Sequence, residues 1–211
     1  MTKLIVLLAA CGGPSASSPA MPDSGARPPD STQSGSDAAP EPAPLLPFAV
    51  GRRWSFTQTS SGAGNPTTTC DLAETVTGQM MVDGRDAFVL VDAFVCPTGS
   101  QSSMFYDAAL GGDHYESRQA SATDGIWYVM DPPSEGHQWA SDPAGMDVLT
   151  WHRAPTTTVT AGTFTDCWRT VSTLSGSDQE ATYCRGVGLV VFDGTYSTGY
   201  MLHRELVAKS F

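Results

Sequence analysis

The stretch that decides the fold is Thr157–Phe192, TTVTAGTFTDCWRTVSTLSGSDQEATYCRGVGLVVF. Residues 164–174 and 179–192 are rich in Thr, Val, Phe, Tyr and Trp, which suit the pleated, half-buried surface of a strand. Between these runs lies the turn cluster Ser175-Gly176-Ser177-Asp178, in which glycine supplies a positive φ. The stretch therefore predicts a long antiparallel β-hairpin.

The two cysteines of this hairpin agree with one register. With a two-residue loop at Ser175-Gly176, the numbers of opposed residues sum to 351, and Cys167 then faces Cys184. Seven steps from the turn is a non-hydrogen-bonded pair, where Cα atoms approach to about 4.5 Å. That separation is at the short end of the range that a disulfide spans. The register predicts a Cys167–Cys184 cystine.

A second hairpin follows from the same arithmetic. Cys70 and Cys96 are centred on Asp83, within Met81–Arg85, which predicts a three-residue turn with Gly84 in the left-handed conformation. Two hairpins, each with a cross-strand cystine, are the economical choice among the three pairings of four cysteines. A crossed pairing and free buried cysteines are the alternatives.

The first 44 residues indicate export and a tether. An apolar run followed by Leu8-Ala9-Ala10-Cys11 is typical of a cleaved signal peptide over residues 1–10, and it resembles the bacterial lipobox, in which the cysteine carries acyl chains such as palmitate. A chance apolar N-terminus is the alternative. Gly12, rather than Asp, after the cysteine favours the outer membrane by analogy with Gram-negative lipoprotein sorting. Residues 11–44 then form a Gly/Ser/Pro/Ala tether that is expected to be disordered.

Residues 45–211 are predicted to form a single antiparallel β domain. Turn signals recur about every ten residues, and no stretch shows the apolar periodicity of an amphipathic helix. At most a short helix is expected near Gln101–Leu110. We expect a curved sheet or half-barrel built of long hairpins.

An internal two-fold repeat is a further hypothesis. Gly51-x-x-Trp54 recurs as Gly136-x-x-Trp139, and each copy precedes a strand with a Val-Thr-Gly or Val-Thr-Ala-Gly segment and then a cystine strand. A chance similarity between β segments is the alternative.

Several of these motifs resemble those of a known group of bacterial proteins. Residues 156–166 (TTTVTAGTFTD) and Tyr183–Val190 (YCRGVGLV), with the Gly-x-x-Trp segment, resemble DUF3108-like periplasmic proteins and, more loosely, the half-barrel of lipoprotein carriers. Arg185 stands where that group has proline, and Thr160 also replaces a proline. The resemblance implies a β-rich envelope domain and no particular activity.

Catalytic and metal motifs are absent from the sequence. His114, His137, His152 and His203 form no pair at metal-ligand spacing, and there is no nucleophile elbow or phosphate loop. Asp83, Asp86 and Asp113 are better explained as turn residues than as a Ca²⁺ site. The sequence predicts no enzyme, cofactor or metal.

The net charge of the predicted domain makes some classes of binding partner unfavourable. Residues 45–211 hold nine Lys or Arg and eighteen Asp or Glu, so nucleic acid and anionic headgroups are poor partners. The predicted partners are the membrane, through the lipid on Cys11, and an apolar ligand or an envelope protein.

One strand suggests where an apolar ligand would lie. Residues 85–96 place Phe88, Leu90 and Phe94 with Asp92 on one face and valines on the other, so both faces are expected to be covered. The second cover could be a short helix, a loop or an apolar, lipid-like ligand held in a concave sheet. The candidate ligand-binding residues are Phe88, Leu90, Phe94, Trp139 and Trp168.

Two functions remain on this reading. The first is a non-enzymatic binding or scaffolding lipoprotein. The second is a hydrolase of envelope polymers with a dispersed carboxylate and histidine site.

Overall fold

The computed structural model describes residues 40–62, 64–82, 84–110, 112–117, 125–172 and 176–211. These ranges form strands and no helix, so none of them holds an apolar helix long enough to cross a membrane. The strands are β1 (Arg53–Gly62), β2 (Asn65–Val82), β3 (Arg85–Cys96), β4 (Gly99–Leu110), β5 (Asp113–Ser117), β6 (Ile126–Val129), β7 (Gln138–Ala140), β8 (Val148–Val159), β9 (Gly162–Ser172), β10 (Ser177–Cys184), β11 (Gly188–Tyr196) and β12 (Tyr200–Ser210). Cys11, the lipobox and the predicted signal peptide lie outside the described residues, as does the tether up to residue 39.

All twelve strands belong to one antiparallel sheet in the order β6-β5-β4-β3-β2-β1-β12-β11-β10-β9-β8-β7. The two halves of the chain are each a six-stranded meander, and they join where β1 pairs with β12. The free edges approach each other, since the Trp127 N–H donates to the Ser141 carbonyl at 2.8 Å. The all-β prediction is confirmed, and the sheet curls into a nearly closed barrel. Residues 101–110, where the sequence allowed at most a short helix, belong to strand β4 and pair with β3 as far as Ala108.

The β9–β10 hairpin has the predicted register. Every described pair from Glu180↔Val171 to Cys184↔Cys167 sums to 351. The two cysteines are disulfide-bonded with a Cα–Cα distance of 4.0 Å, and neither is exposed. Of the turn itself, residues 173–175 lie outside the described part.

The β2–β3 hairpin has the predicted cystine, but its turn differs from the predicted one. Cys70 and Cys96 are bonded, with their Cα atoms 4.4 Å apart. The predicted three-residue turn is wrong, because Val82 pairs with Arg85 and leaves a loop of two residues. A bulge at Thr77 adds one residue to β2, which restores the register that places the cysteines opposite each other.

The repeat hypothesis is met in part, since each half is a six-stranded meander whose first strand carries a buried tryptophan, Trp54 or Trp139. Gly51 and Gly136 both have a positive φ and precede the first strand of each half. The cystines are not equivalent, since one joins the second and third strands of its half and the other joins the third and fourth. In the first copy Cys70 and Val76 lie on one strand, β2. In the second copy Val159 lies on β8 and Cys167 on β9. Whether the two halves superpose stays a prediction.

Two groups of buried side chains fill the curved sheet. One surrounds Trp54, Phe56 and the Cys167–Cys184 bridge, and the other surrounds Trp151. The buried indoles have polar partners, as Trp54 Nε1 donates to the Val187 carbonyl at 2.6 Å and Trp151 Nε1 to that of Met130 at 2.9 Å. Gly188 is required beside Trp54, because a Cβ there would lie 3.2 Å from Trp54 Nε1 and φ is +98°.

The chain ahead of β1 packs into the sheet. Leu45 and Leu46 are buried in the Trp151 group. Asp131 Oδ2 accepts the Leu45 N–H at 3.0 Å, and the Pro44 carbonyl accepts the Gly186 N–H at 2.9 Å. Arg185 bridges these elements, since Nη1 donates to the Ala43 carbonyl at 2.9 Å and lies 3.2 Å from Asp131 Oδ1. Arg185 therefore connects the segment ahead of β1, at Ala43, to Asp131.

Replacing Arg185 by alanine is expected to lower the free energy of unfolding by about 2–3 kcal/mol, because the nearly buried Asp131 carboxylate loses its cation. Hydrogen exchange should also accelerate at the Leu45 and Gly186 amides. Chemical denaturation and exchange mass spectrometry measure the two effects. The control is Arg169→Ala, whose ion pair with Glu180 is about half exposed and is expected to contribute less than about 1 kcal/mol. An equal loss of unfolding free energy in the two variants would contradict this role of Arg185.

Candidate ligand-binding interior

Two cavities open inside the curved sheet. The larger, of about 310 Å³, lies against β6 and β8–β11, and the smaller, of about 120 Å³, lies against β1–β3, β5, β6 and β10–β12. Tyr128 and Tyr183 line both cavities, so the two share a wall. A water molecule takes about 30 Å³ of liquid volume, so even the smaller cavity is the size of several waters.

The smaller cavity has apolar walls with a few polar groups. Strand alternation explains this mixture, because Glu74 is flanked along β2 by the inward residues Leu72 and Val76 and pairs with Trp54 and Asp92 on the neighbouring strands. The cavity is lined by Leu46, Phe48, Trp54, Phe56, Glu74, Leu90, Glu116, Tyr128, Tyr183, Gly188, Leu189 and Arg204.

Glu74 is an acid of this cavity whose pKa is strongly shifted. Its side chain is half-buried and lines the cavity. The pKa of Glu74 is raised from 4.5 to about 8, mainly by burial and next by the negative charge of Asp92, while Arg204 acts in the opposite direction. Glu74 is therefore mainly protonated at neutral pH. In the described part of the chain its carboxyl group has no hydrogen-bond partner.

Arg204 is the cation of the smaller cavity within the described residues. It lies opposite Gln58 across the β1–β12 pair. Its Nε and Nη2 atoms both donate to Gln58 Oε1, at 3.2 and 2.9 Å, and its guanidinium lies 5.7 Å from the centroid of the Phe56 ring. Arg204 is thus held by a neutral amide and an aromatic ring.

A buried His–Asp pair lies beside the smaller cavity. His114 Nδ1 is 2.7 Å from Asp107 Oδ1, and the Tyr128 hydroxyl donates to Asp107 Oδ2. Burial raises the pKa of Asp107, while the hydrogen bond and charge of His114 oppose that increase. Among the described residues no hydroxyl or thiol hydrogen-bonds to His114, and the Phe48 ring packs edge-on against its imidazole at 5.5 Å. The pair satisfies buried polar groups, and within the described residues no serine, threonine or cysteine hydrogen-bonds to His114.

The larger cavity is acidic at its rim. Asp147 accepts hydrogen bonds from the hydroxyls of Ser141 and Ser172, at 2.7 and 2.6 Å. Glu180 pairs with Arg169 at 2.9 Å. Asp142 Oδ1 accepts the backbone N–H of Met146. Apolar contact comes from Leu149, Ala181, Phe192 and the two shared tyrosines.

The structure does not gather the five predicted ligand-binding residues around one cavity. Leu90 lines the smaller cavity, and Phe88 packs behind it against Phe48, with ring centroids 5.8 Å apart. Phe94 lines a separate pocket with Asp92 and Phe105. Trp139 and Trp168 pack around Trp151, with ring centroids 5.4 and 6.5 Å from it, and line neither cavity. The sequence did not predict the polar groups of the smaller cavity, which are Glu74, Glu116 and Arg204. The signal that could have indicated them is an isolated charged residue at an inward position of an otherwise apolar strand.

The expectation that both faces of β3 are covered is wrong. Val95, on the outer face, is 59% exposed, and Val89 and Val91 are half-buried. The inner face is covered by the domain's own core, and the outer face is buried only at Ala87, which packs with Val82 and Ala108, among the described residues of β3.

No cluster of three or more potential metal ligands occurs within the described ranges. His152 and His203 lie on the surface and pair with Glu135 and Asp193 at 2.9 and 2.7 Å. His137 stacks on Trp139, with ring centroids 6.0 Å apart.

Comparison with known proteins identifies the fold alone. Neither a family model nor a curated protein sequence matches this chain. The chain is similar to the crystal structure of a Bacteroides fragilis protein assigned as exported and as having a YmcC-like fold, with a TM-score of 0.50, 12% identity, and coverage of 80% of this chain and 100% of that chain. The fold is YmcC-like.

A second similar structure is that of a Parabacteroides distasonis protein assigned as a lipoprotein, with a TM-score of 0.45, 10% identity, and coverage of 81% of this chain and 100% of that chain. This likeness is too low to carry an argument. At such identities the YmcC-like fold transfers no activity, so function has to be argued from the cavities.

Proposed function

We propose that this chain is an exported lipoprotein, anchored to the outer membrane of a Gram-negative bacterium through Cys11, whose β domain binds a small ligand with an apolar part. The domain binds and presents this ligand without transforming it. Residues 11–44 act as the tether between membrane and domain.

The observation that carries the binding role is the pair of adjoining cavities inside the sheet. A pocket with mainly apolar walls and a few polar groups is the usual form of a small-molecule site, and the larger cavity is at the lower end of the usual size range. The smaller cavity places Glu74, Glu116 and Arg204 among aromatic rings, which would fix the orientation of a ligand.

Export is supported by three separate features. The Leu8-Ala9-Ala10-Cys11 segment resembles a lipobox. Two cystines persist only in an oxidising compartment. The Bacteroides fragilis protein that shares the fold is assigned as exported. One acyl chain binds membranes only marginally, so stable anchoring requires the several chains of a lipoprotein.

Native mass spectrometry of the full chain, extracted from a Gram-negative host in mild detergent, tests both parts. We expect an intact mass that includes acyl chains on Cys11, and a small-molecule adduct that is lost on denaturation. Cys11→Ala is the control, which should lose the acyl mass and membrane association. A chain that carries no adduct after gentle extraction would contradict ligand binding, and an unacylated wild-type chain would contradict anchoring.

The second candidate, a hydrolase of envelope polymers, is favoured by the Asp107–His114 pair. Its weakness is access, because His114 is only 4% exposed and packs against Phe48. Release of soluble fragments from cell-wall polymers by the wild type and not by His114→Ala would favour this hydrolase over the binding protein.

A further inference from the structure

The ionisable groups that line the two cavities are mostly acidic. Within the described residues the larger cavity has Asp142 and Asp147 in its wall, together with Glu180, whose half-exposed carboxylate is paired with Arg169. The smaller cavity has Glu74 and Glu116 against a single guanidinium, that of Arg204. An anionic ligand would therefore meet repulsion from Asp142 and Asp147 in the larger cavity, and from Glu74 in the smaller cavity wherever that carboxyl group ionises.

Aromatic rings surround the smaller cavity. An organic cation binds to the faces of such rings, and the attraction increases when the cation is withdrawn from water. Five of the lining residues are aromatic: Phe48, Trp54, Phe56, Tyr128 and Tyr183. The combination of rings with carboxylates suits an ammonium group better than a neutral polar group.

Glu74 and Arg204 differ in whether the protein itself supplies their hydrogen-bond partners. Arg204 donates twice to Gln58 Oε1 and lies over Phe56, so the protein itself supplies its partners. Glu74 faces the same cavity and has no hydrogen-bond partner among the described residues. A ligand that supplies positive charge at Glu74 would complete the site, whereas one that binds Arg204 would have to compete with Gln58.

We propose that the interior of the sheet binds an organic ammonium ion with an apolar chain, its cationic group in the smaller cavity beside Glu74 and Glu116 and its apolar part toward Tyr183 and Phe192. This inference rests on the proposed ligand-binding function and names its ligand class. Binding is coupled to a proton, because Glu74 is protonated in the empty cavity at neutral pH and ionises when the ammonium group arrives.

The groups that act on Glu74 come from several strands. Asp92 and Glu116 favour its protonated form, as does Asp107, and Arg204 favours its ionised form. The further titratable groups in this part of the interior are Tyr128, Tyr183 and His114. A bound cation adds to the effect of Arg204 and lowers the pKa of Glu74.

Calorimetric titration of the full chain with three probes of equal chain length tests the inference: hexyltrimethylammonium, hexanoate and 1-hexanol. We expect the cation to bind about tenfold or more tightly than either other probe at pH 7. Its heat of binding should depend on the ionisation enthalpy of the buffer, because a proton is released. Glu74→Gln should weaken cation binding about tenfold and abolish the buffer dependence.

The matched control is Asp71→Asn, which removes an exposed carboxylate from the same strand, β2, and should leave cation binding unchanged. Because glutamine has the shape of protonated glutamate, Glu74→Gln is expected to fold, and circular dichroism checks this. Equal or tighter binding of hexanoate or 1-hexanol would overturn the cation inference and leave the binding function standing. Failure of all three probes to bind would overturn both.

Discussion

Replacing Cys167 and Cys184 together by alanine is expected to lower the free energy of unfolding by about 4–5 kcal/mol. The bridge closes a loop with a sequence separation of 17, and the loss of that constraint on the unfolded chain contributes about 3 kcal/mol. Both sulfurs also belong to the core around Trp54 and Phe56, where their removal leaves space that the neighbours fill only in part. Urea denaturation under non-reducing conditions measures the loss.

The second cystine provides an internal comparison. Cys70–Cys96 closes a longer loop, with a sequence separation of 26, so chain entropy alone predicts a loss of about 3 kcal/mol or slightly more. Its sulfurs lie outside both main core groups. We expect the Cys70→Ala/Cys96→Ala variant to be destabilised less than Cys167→Ala/Cys184→Ala. The opposite order would show that loop length, rather than core packing, controls the stabilisation.

Glu74→Gln is expected to stabilise the protein at pH 9 by about 3–5 kcal/mol and to change little near pH 4. In the folded state the pKa of Glu74 is raised from 4.5 to about 8, so between these values the folded chain holds a proton that the unfolded chain releases. Unfolding therefore releases a proton, and stability falls as the pH rises from 4.5 to 8. Glutamine remains neutral at every pH and removes this dependence.

Thermal unfolding from pH 4 to pH 9 measures the effect as the difference between wild type and Glu74→Gln. Because the other acids titrate in both proteins, the difference reports the titration of Glu74 together with its coupling to Asp92 and Asp107. Asp71→Asn controls for the loss of one negative charge from β2. Parallel pH profiles for wild type and Glu74→Gln would show that the Glu74 side chain reaches bulk water when the cavity is empty.

The local pairings were predictable from the sequence. Turn residues and strand propensity place β9 against β10 in one register, and the position of Cys167 opposite Cys184 tests that register independently. The β2–β3 pairing was predictable only in part. A symmetric count between Cys70 and Cys96 cannot distinguish a three-residue turn from a two-residue turn with a bulge at Thr77, since both bring the cysteines together.

Residues 101–110, where the sequence allowed at most a short helix, show how tertiary pairing decides the conformation when local preference is weak. GSQSSMFYDAAL has no clear strand periodicity, yet β4 pairs with β3 from Gly99 to Ala108 and with β5 from Tyr106 to Leu110. The hydrogen-bonding edge of β3 therefore decides the conformation of these residues.

The sequence by itself determined an antiparallel β domain, two hairpin cystines and an acidic net charge, because these depend on neighbours in the chain or on composition. Only the tertiary structure decided the ligand-binding interior. Glu74, Glu116 and Arg204 are far apart in sequence, and each is an ordinary charged residue until the sheet curls and turns it inward. Proximity across a closed sheet depends on the register of every intervening strand, and that information is not local to any one of these residues.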